Sequence, residues 1–183
     1  GIVSCSMELG GNAPFVVFDD ADLDAAVTGA MLAKFRNVGE ACTAANRFLV
    51  HEAVADEFAA RLTAKVAELQ VGRGTEDGVT IGPLINAKAV SKADELVRDA
   101  VDRGAEVRLG GGPVEGPGTF YAPTVLDRVD AGSDILRTEI FGPVVSIVRF
   151  ADEAEAVRIA NDTEFGLVSY VFTRDLARGQ RMI

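Results

Sequence analysis

One thiol in this sequence stands in a setting that suits nucleophilic chemistry. Cys42 lies in the run KFRNVGEACTAANRFLV, residues 34–50, with Gly39 before it and Ala41, Thr43, Ala44 and Ala45 around it. Small neighbours leave room for a substrate to approach the sulfur, and a glycine lets backbone N–H groups point where a bulkier residue would not permit. A reacting thiolate must be both reachable and stabilised, and this pattern supplies both. The competing reading is an inert packing cysteine, the usual fate of a lone buried thiol. Arg36, six residues earlier on the same segment, carries a guanidinium that can give two parallel hydrogen bonds to a carboxylate. It can equally form a salt bridge with one of the many acidic residues. Glu8, in MELGGNAP, is either a general base or a surface carboxylate.

Residues so far apart in sequence reach one site only through the fold. Residues 1–7 read as a short strand and Pro14–Phe18 as a buried one. Asp19, Asp20 and Asp22 then precede a helical repeat at Leu23, Ala26, Val27, Ala30 and Met31, and these aspartates read as capping rather than as a metal site. A strand at Phe48–Val50 leads to a helix marked by Val54, Phe58, Leu62, Val66 and Leu69. A third helix carries Val90, Ala93, Val97, Ala100 and Val101, and Ala105–Leu109 follows as a strand. The glycines of Gly110–Gly118 lack the spacing and the lysine of a phosphate loop, so this stretch reads as a surface loop. Phe120–Val129 is extended, Val144–Phe150 a strand, Asp152–Ala160 a helix, Leu167–Thr173 a strand, and Asp175 starts a last helix. Helices alternating with strands predict an α/β domain with helices packed on a largely parallel sheet.

Composition excludes several classes of partner. A chain of 183 residues is one domain with enough length for a sizeable core. The net charge of −10 argues against nucleic acid and anionic membrane, both of which need basic patches. No apolar run approaches the ~20 residues of a membrane span, and no charged-then-apolar leader opens the chain. Cys5, Cys42 and the single histidine, His51, do not make a usual zinc site. A disulfide between the two cysteines is not favoured in a domain this large, and the chain reads as cytoplasmic and reduced.

The pattern F-R-N-x-G-x-x-C-x-x-x-N-R over Phe35–Arg47 resembles the active-site cysteine segment of the aldehyde dehydrogenase superfamily. Three more stretches resemble the same family in the same order: Met7–Pro14 (MELGGNAP), Thr138–Val144 (TEIFGPV) and Ala160–Leu167 (ANDTEFGL). KFRN and ANDTEFGL look most like the succinate-semialdehyde dehydrogenase branch. The resemblance implies a three-layer α/β/α catalytic domain over residues 1–183, with 1–12 as the junction from a cofactor-binding domain. It also implies oxidation of a small aldehyde with NAD or NADP, and a homo-oligomer. On this likeness Cys42 matches the nucleophile that forms a thiohemiacetal and then a thioester, and Glu8 matches the base that activates water to hydrolyse it. Retention of Glu8 favours release of a free acid over transfer to coenzyme A. Glu139 and Phe141 match residues that hold the nicotinamide ribose and pack by its ring, and Arg36 matches the residue that receives a semialdehyde's distal carboxylate. Asn161 and Gly166 read as turn residues.

There are departures from the family pattern. Ala44 stands where several relatives have a second cysteine, and Glu40 replaces a common glutamine, adding negative charge near the thiol. The family's dinucleotide-binding segment and its oxyanion asparagine belong before Gly1, so the resemblance implies a truncated catalytic domain, inactive alone. Two alternatives stay open: a cysteine hydrolase using Cys42 with a glutamate base, and a non-catalytic, self-associating domain.

Overall fold

The computed structural model describes residues 2–182. Six strands form one sheet: β1 (Ala13–Val17), β2 (Ala45–His51), β3 (Glu106–Leu109), β4 (Thr124–Asp127), β5 (Val144–Phe150) and β6 (Tyr170–Phe172), in the spatial order β3-β4-β5-β2-β1-β6. All neighbours run parallel except β3 and β4. The helices are α1 (Leu23–Phe35), α2 (Glu52–Val66), α3 (Ala87–Asp102), α4 (Glu153–Asn161) and α5 (Leu176–Arg181). Their starts are capped by side chains, with Asp22 accepting from the Asp24 and Ala25 amides, and Asn86, Asp152 and Asp175 doing the same for α3, α4 and α5. Of the three clustered aspartates Asp22 alone caps α1; Asp20 accepts from the Thr173 hydroxyl and the Arg174 and Asp175 amides, and Asp19 pairs with Arg178.

Alternation along each central strand separates two apolar cores. Phe15, Val17, Phe48, Val50, Val145 and Ile147 face α1 and α2, while Val16, Leu49, Val144 and Val148 face α3 and α4. Burial on both faces explains why these strands read as continuous apolar runs rather than as alternating ones. Phe15 anchors one core, with its ring 4.9 Å from that of Phe48 and 4.8 Å from that of Phe172. The three-layer α/β/α expectation holds.

Two local expectations do not. Ile2–Met7 form no strand, and Gly1 lies outside the described residues. The register explains this: Ala13 is already opposite the first residue of β2, so the chain before it has no neighbouring strand to pair with. Cys5 is accordingly exposed rather than packed in a strand. Ala105–Leu109 was expected to extend the parallel sheet, but β3 pairs antiparallel with β4. No crossover helix lies between them, only the glycine-bearing loop, and a parallel pair would need such a crossover. Among the described residues no helix is long and apolar enough to cross a membrane.

Candidate active site

The strand order explains how four separated motifs come together. MELGGNAP runs into β1, the cysteine segment into β2, TEIFGPV into β5, and ANDTEFGL ends just before β6. These four strands are parallel and contiguous, in the order β5-β2-β1-β6. Their lead-ins therefore lie side by side along one edge of the sheet, across three strand spacings of about 14 Å in all.

Polar contacts bind the lead-ins together. Arg47, the arginine of the cysteine segment, is buried, and its guanidinium donates to the carbonyls of Asn12 (3.0 Å), Ile159 (2.9 Å) and Ala160 (3.0 Å). Asn12 Nδ2 donates to the Leu136 carbonyl at 2.9 Å. The Gly11 amide donates to Glu139 Oε1 at 2.9 Å, and Lys92 Nζ donates to the Glu139 carbonyl at 3.0 Å. The Glu8 segment packs on the cysteine turn at Gly11. A Cβ placed there would lie 2.1 Å from the Cys42 carbonyl oxygen, so only glycine fits.

Cys42 sits in a turn closed by the Ala44 amide donating to the Ala41 carbonyl at 2.9 Å, and Tyr170 Oη donates to the Thr43 carbonyl at 2.8 Å. Its thiol is free and exposed, as is that of Cys5, so no disulfide joins them and the packing-cysteine reading fails. The preceding loop is strained. Asn37, Val38 and Gly39 have φ of 53°, 60° and 77°, and left-handed backbone at a β-branched residue such as Val38 is a genuine outlier. The Asn37 side chain, donating to the Glu40 carbonyl at 2.7 Å, helps hold this shape. Glu40 turns its carboxylate to the Ile85 amide, 3.0 Å away.

Two cavities border the turn. One of about 360 Å³ is lined by Cys42 with Gly11, Asn12, Asn161, Leu167 and Ser169. Asn161 and Gly166 both line it, so these residues, read from sequence as turn formers, also wall the space beside the thiol. The second, of about 320 Å³, is lined by Arg36 with Leu32, Ala41, Thr43 and Tyr170. Arg36 is exposed and thus lies across the turn from Cys42 rather than in the same cavity. Glu8 is exposed on the extended segment leading to Gly11 and does not line the Cys42 cavity. Glu139 and Phe141 are half-buried, and Phe141 adopts φ 52°. Sequence reasoning missed Arg47, Tyr170 and Lys34. The first and last stand inside the quoted cysteine segment, whereas nothing local marks Tyr170.

His51 lies at the far end of β2, where its Nδ1 accepts from the Ala53 amide at 3.2 Å and caps α2. Seven residues of strand carry it about 20 Å from the Cys42 end. The lone histidine cannot serve this thiol, which removes the usual partner for a cysteine hydrolase.

A sequence profile of the aldehyde dehydrogenase family matches residues 1–183. The chain belongs to the aldehyde dehydrogenase family. It is 54% identical to a glutarate-semialdehyde dehydrogenase of Pseudomonas aeruginosa, over 97% of this chain and 37% of that protein. It is 51% identical to an NADP-dependent succinate-semialdehyde dehydrogenase of Escherichia coli, again over 97% of this chain and 37% of that protein. The crystal structure of succinate-semialdehyde dehydrogenase from Burkholderia pseudomallei superposes with a TM-score of 0.94 at 52% identity, covering 97% of this chain and 37% of that one. This aldehyde dehydrogenase chain thus spans little more than a third of the length of the relatives it matches.

Proposed function

We propose that this chain supplies the nucleophile and the hydrolytic base of an NAD(P)-dependent dehydrogenase that oxidises a small aldehyde bearing a distal carboxylate. The observation that carries the proposal is the convergence of all four motifs on one sheet edge, with the exposed Cys42 thiol opening into a cavity. Cys42 adds to the aldehyde carbon as thiolate, giving a thiohemiacetal; loss of hydride leaves a thioester on the same sulfur. Glu8 takes a proton from water, which attacks the thioester carbonyl and releases the acid and the thiolate. The Cys42 backbone N–H is one donor for the oxyanion of both tetrahedral species.

The chemistry that a bound nicotinamide cofactor supplies here is acceptance of the hydride. The residues on this edge fit its nicotinamide end: the cavity beside Cys42 has room for a ring, and Gly10 and Gly11 leave bare backbone against the Glu139 carboxylate. Glu139, here bonded to the Gly11 amide, would hold a ribose hydroxyl of such a cofactor, and Phe141 would pack by its ring. The choice between NAD and NADP is set by contacts to the adenine ribose, outside these residues.

The distal-carboxylate reading draws on two observations. Two of the relatives above are named for semialdehydes that carry such a group. Arg36, with no carboxylate on its guanidinium among the described residues, lines a cavity whose wall is the Cys42 turn. In the full-length enzyme, Arg36→Ala should lower kcat/KM for a carboxylate-bearing semialdehyde about ten- to a hundredfold, the size of a charge-assisted hydrogen bond of roughly 1.5–3 kcal/mol. A neutral aldehyde of similar length should lose far less; equal losses would make Arg36 a loop-holding residue.

The proposal itself is tested by stopped-flow of Glu8→Gln in that enzyme. A stoichiometric burst of reduced cofactor followed by slow turnover is expected, because only hydrolysis needs the base. Loss of the burst would move Glu8 to an earlier step, and a burst surviving in Cys42→Ala would remove Cys42 as nucleophile.

A further inference from the structure

Tyr170 has no part in the chemistry proposed above, yet it stands in the wall of the cavity that holds Arg36. It opens β6, opposite Phe15 of β1, at the edge of the sheet. Its phenol crosses to the cysteine turn and donates to the Thr43 carbonyl at 2.8 Å. Ala41 and Thr43, the neighbours of Cys42 on either side, line the same cavity. The space is therefore bounded by a cation, by the backbone that carries the nucleophile and by a large ring joined to that backbone.

That ring is fixed at two points. Its tip is tethered by the bond to Thr43, and its face lies tilted against Phe15, with the ring centroids 5.8 Å apart. Phe15 is fully buried and packed in turn on Phe48 and Phe172, so a close-packed core backs the ring and leaves it little room to retreat. Phe172, the other ring of the wall, sits against Gly29 of α1 instead of the turn. The remaining apolar wall is Leu32, which is exposed, and alanines that present single methyl groups.

We propose that Tyr170 is a specificity-determining residue that sets the length of aldehyde this site accepts. The inference rests on the distal-carboxylate reading of Arg36 and deepens it. A linear substrate with its carboxylate on Arg36 and its carbonyl carbon at the Cys42 sulfur is held at both ends, and its methylene stem crosses the wall that Tyr170 forms. A stem that matches the span lies along the ring. One methylene more has to bulge, and the tethered ring stands where the bulge would go. A misfit of one methylene in a shaped pocket is worth about ten- to two-hundredfold in specificity.

Kinetics of the full-length enzyme with succinate semialdehyde and glutarate semialdehyde, which differ by one methylene, decide the matter. In Tyr170→Leu the ratio of kcat/KM for the longer acid to that for the shorter should rise about tenfold. Tyr170→Phe keeps the ring and removes its tether, so the ratio should move the same way by less; if the leucine variant does not fold, this ratio alone decides. A tyrosine that merely holds the cysteine turn in place would lower kcat/KM for both acids alike and leave the ratio unmoved, and that result overturns the inference. It would leave the reading of Arg36 standing, because Arg36→Ala tests that reading with an acid against a neutral aldehyde. A wild-type enzyme with no preference for either acid over the neutral aldehyde would overturn both.

Discussion

Gly11→Ala should destabilise the chain by about 2 kcal/mol or more and displace the Cys42 turn, making it among the most damaging single-methyl additions in the molecule. Alanine reduces the freedom of the unfolded chain and would by itself favour folding by ~0.4–1 kcal/mol. That gain is outweighed here. The new Cβ would lie 2.1 Å from the Cys42 carbonyl oxygen, a backbone atom that cannot rotate aside as a side chain can. Either Gly11 withdraws and breaks its amide bond to Glu139, or Cys42 shifts and alters the exposure of its sulfur. Gly82→Ala is the natural control, since nothing lies within 4 Å of its added Cβ and it should stabilise slightly. Urea midpoints of both variants, with mass-mapped alkylation of Cys42, test the contrast. Similar midpoints for the two would mean that the two lead-ins are not in contact.

Lys34 should dominate the alkaline side of the stability profile. Its folded value is lowered by burial to about 7 from 10.5 in the unfolded chain, so between those values the unfolded state holds the extra proton. Stability then rises with pH, by up to about 1.4 kcal/mol per unit. Below pH 7 both states are protonated and this slope vanishes. Relative to Lys34→Met, which cannot titrate there, the wild type should gain about 2 kcal/mol between pH 7 and pH 9. Denaturant melts of both proteins across that range provide the difference. Parallel profiles would show that Lys34 reaches solvent or stays charged at all these pH values.

The layers of the fold were legible because strands buried on both faces leave continuous apolar runs and capped helices leave an acid before an apolar repeat. Pro14–Phe18 and the Asp22–Leu23 start are instances. Residues 1–7 misled because GIVSCSM has the composition of a strand, whereas strand formation needs a partner and the register places none beside it. The antiparallel β3–β4 pair was hidden for a similar reason, since direction is set by the connection and not by the strand's own residues. Of the site, the motif residues were readable and their neighbours were not. Tyr170 reaches the Thr43 carbonyl across 127 positions of sequence, and no local pattern encodes such a bond. Arg47 looked like part of a signature, yet its guanidinium ties three backbone segments together.

The site's place at the leading ends of its parallel strands has an electrostatic consequence. Open α/β sheets usually bind ligands beyond the trailing ends of their strands, where helices begin and their unpaired amides attract anions. Here α1 instead finishes at Phe35, directly before the cysteine loop, and presents the carbonyl end of its macrodipole. Negative charge developing on an oxyanion, a thiolate or a bound carboxylate gains nothing from that end. Its compensation has to come from loop amides and from a fixed cation, and the chain places Arg36 where α1 gives way to the loop. Anion selectivity at this edge should therefore follow that side chain far more than the helix scaffold, and exchanging it should retune selectivity without rebuilding the sheet.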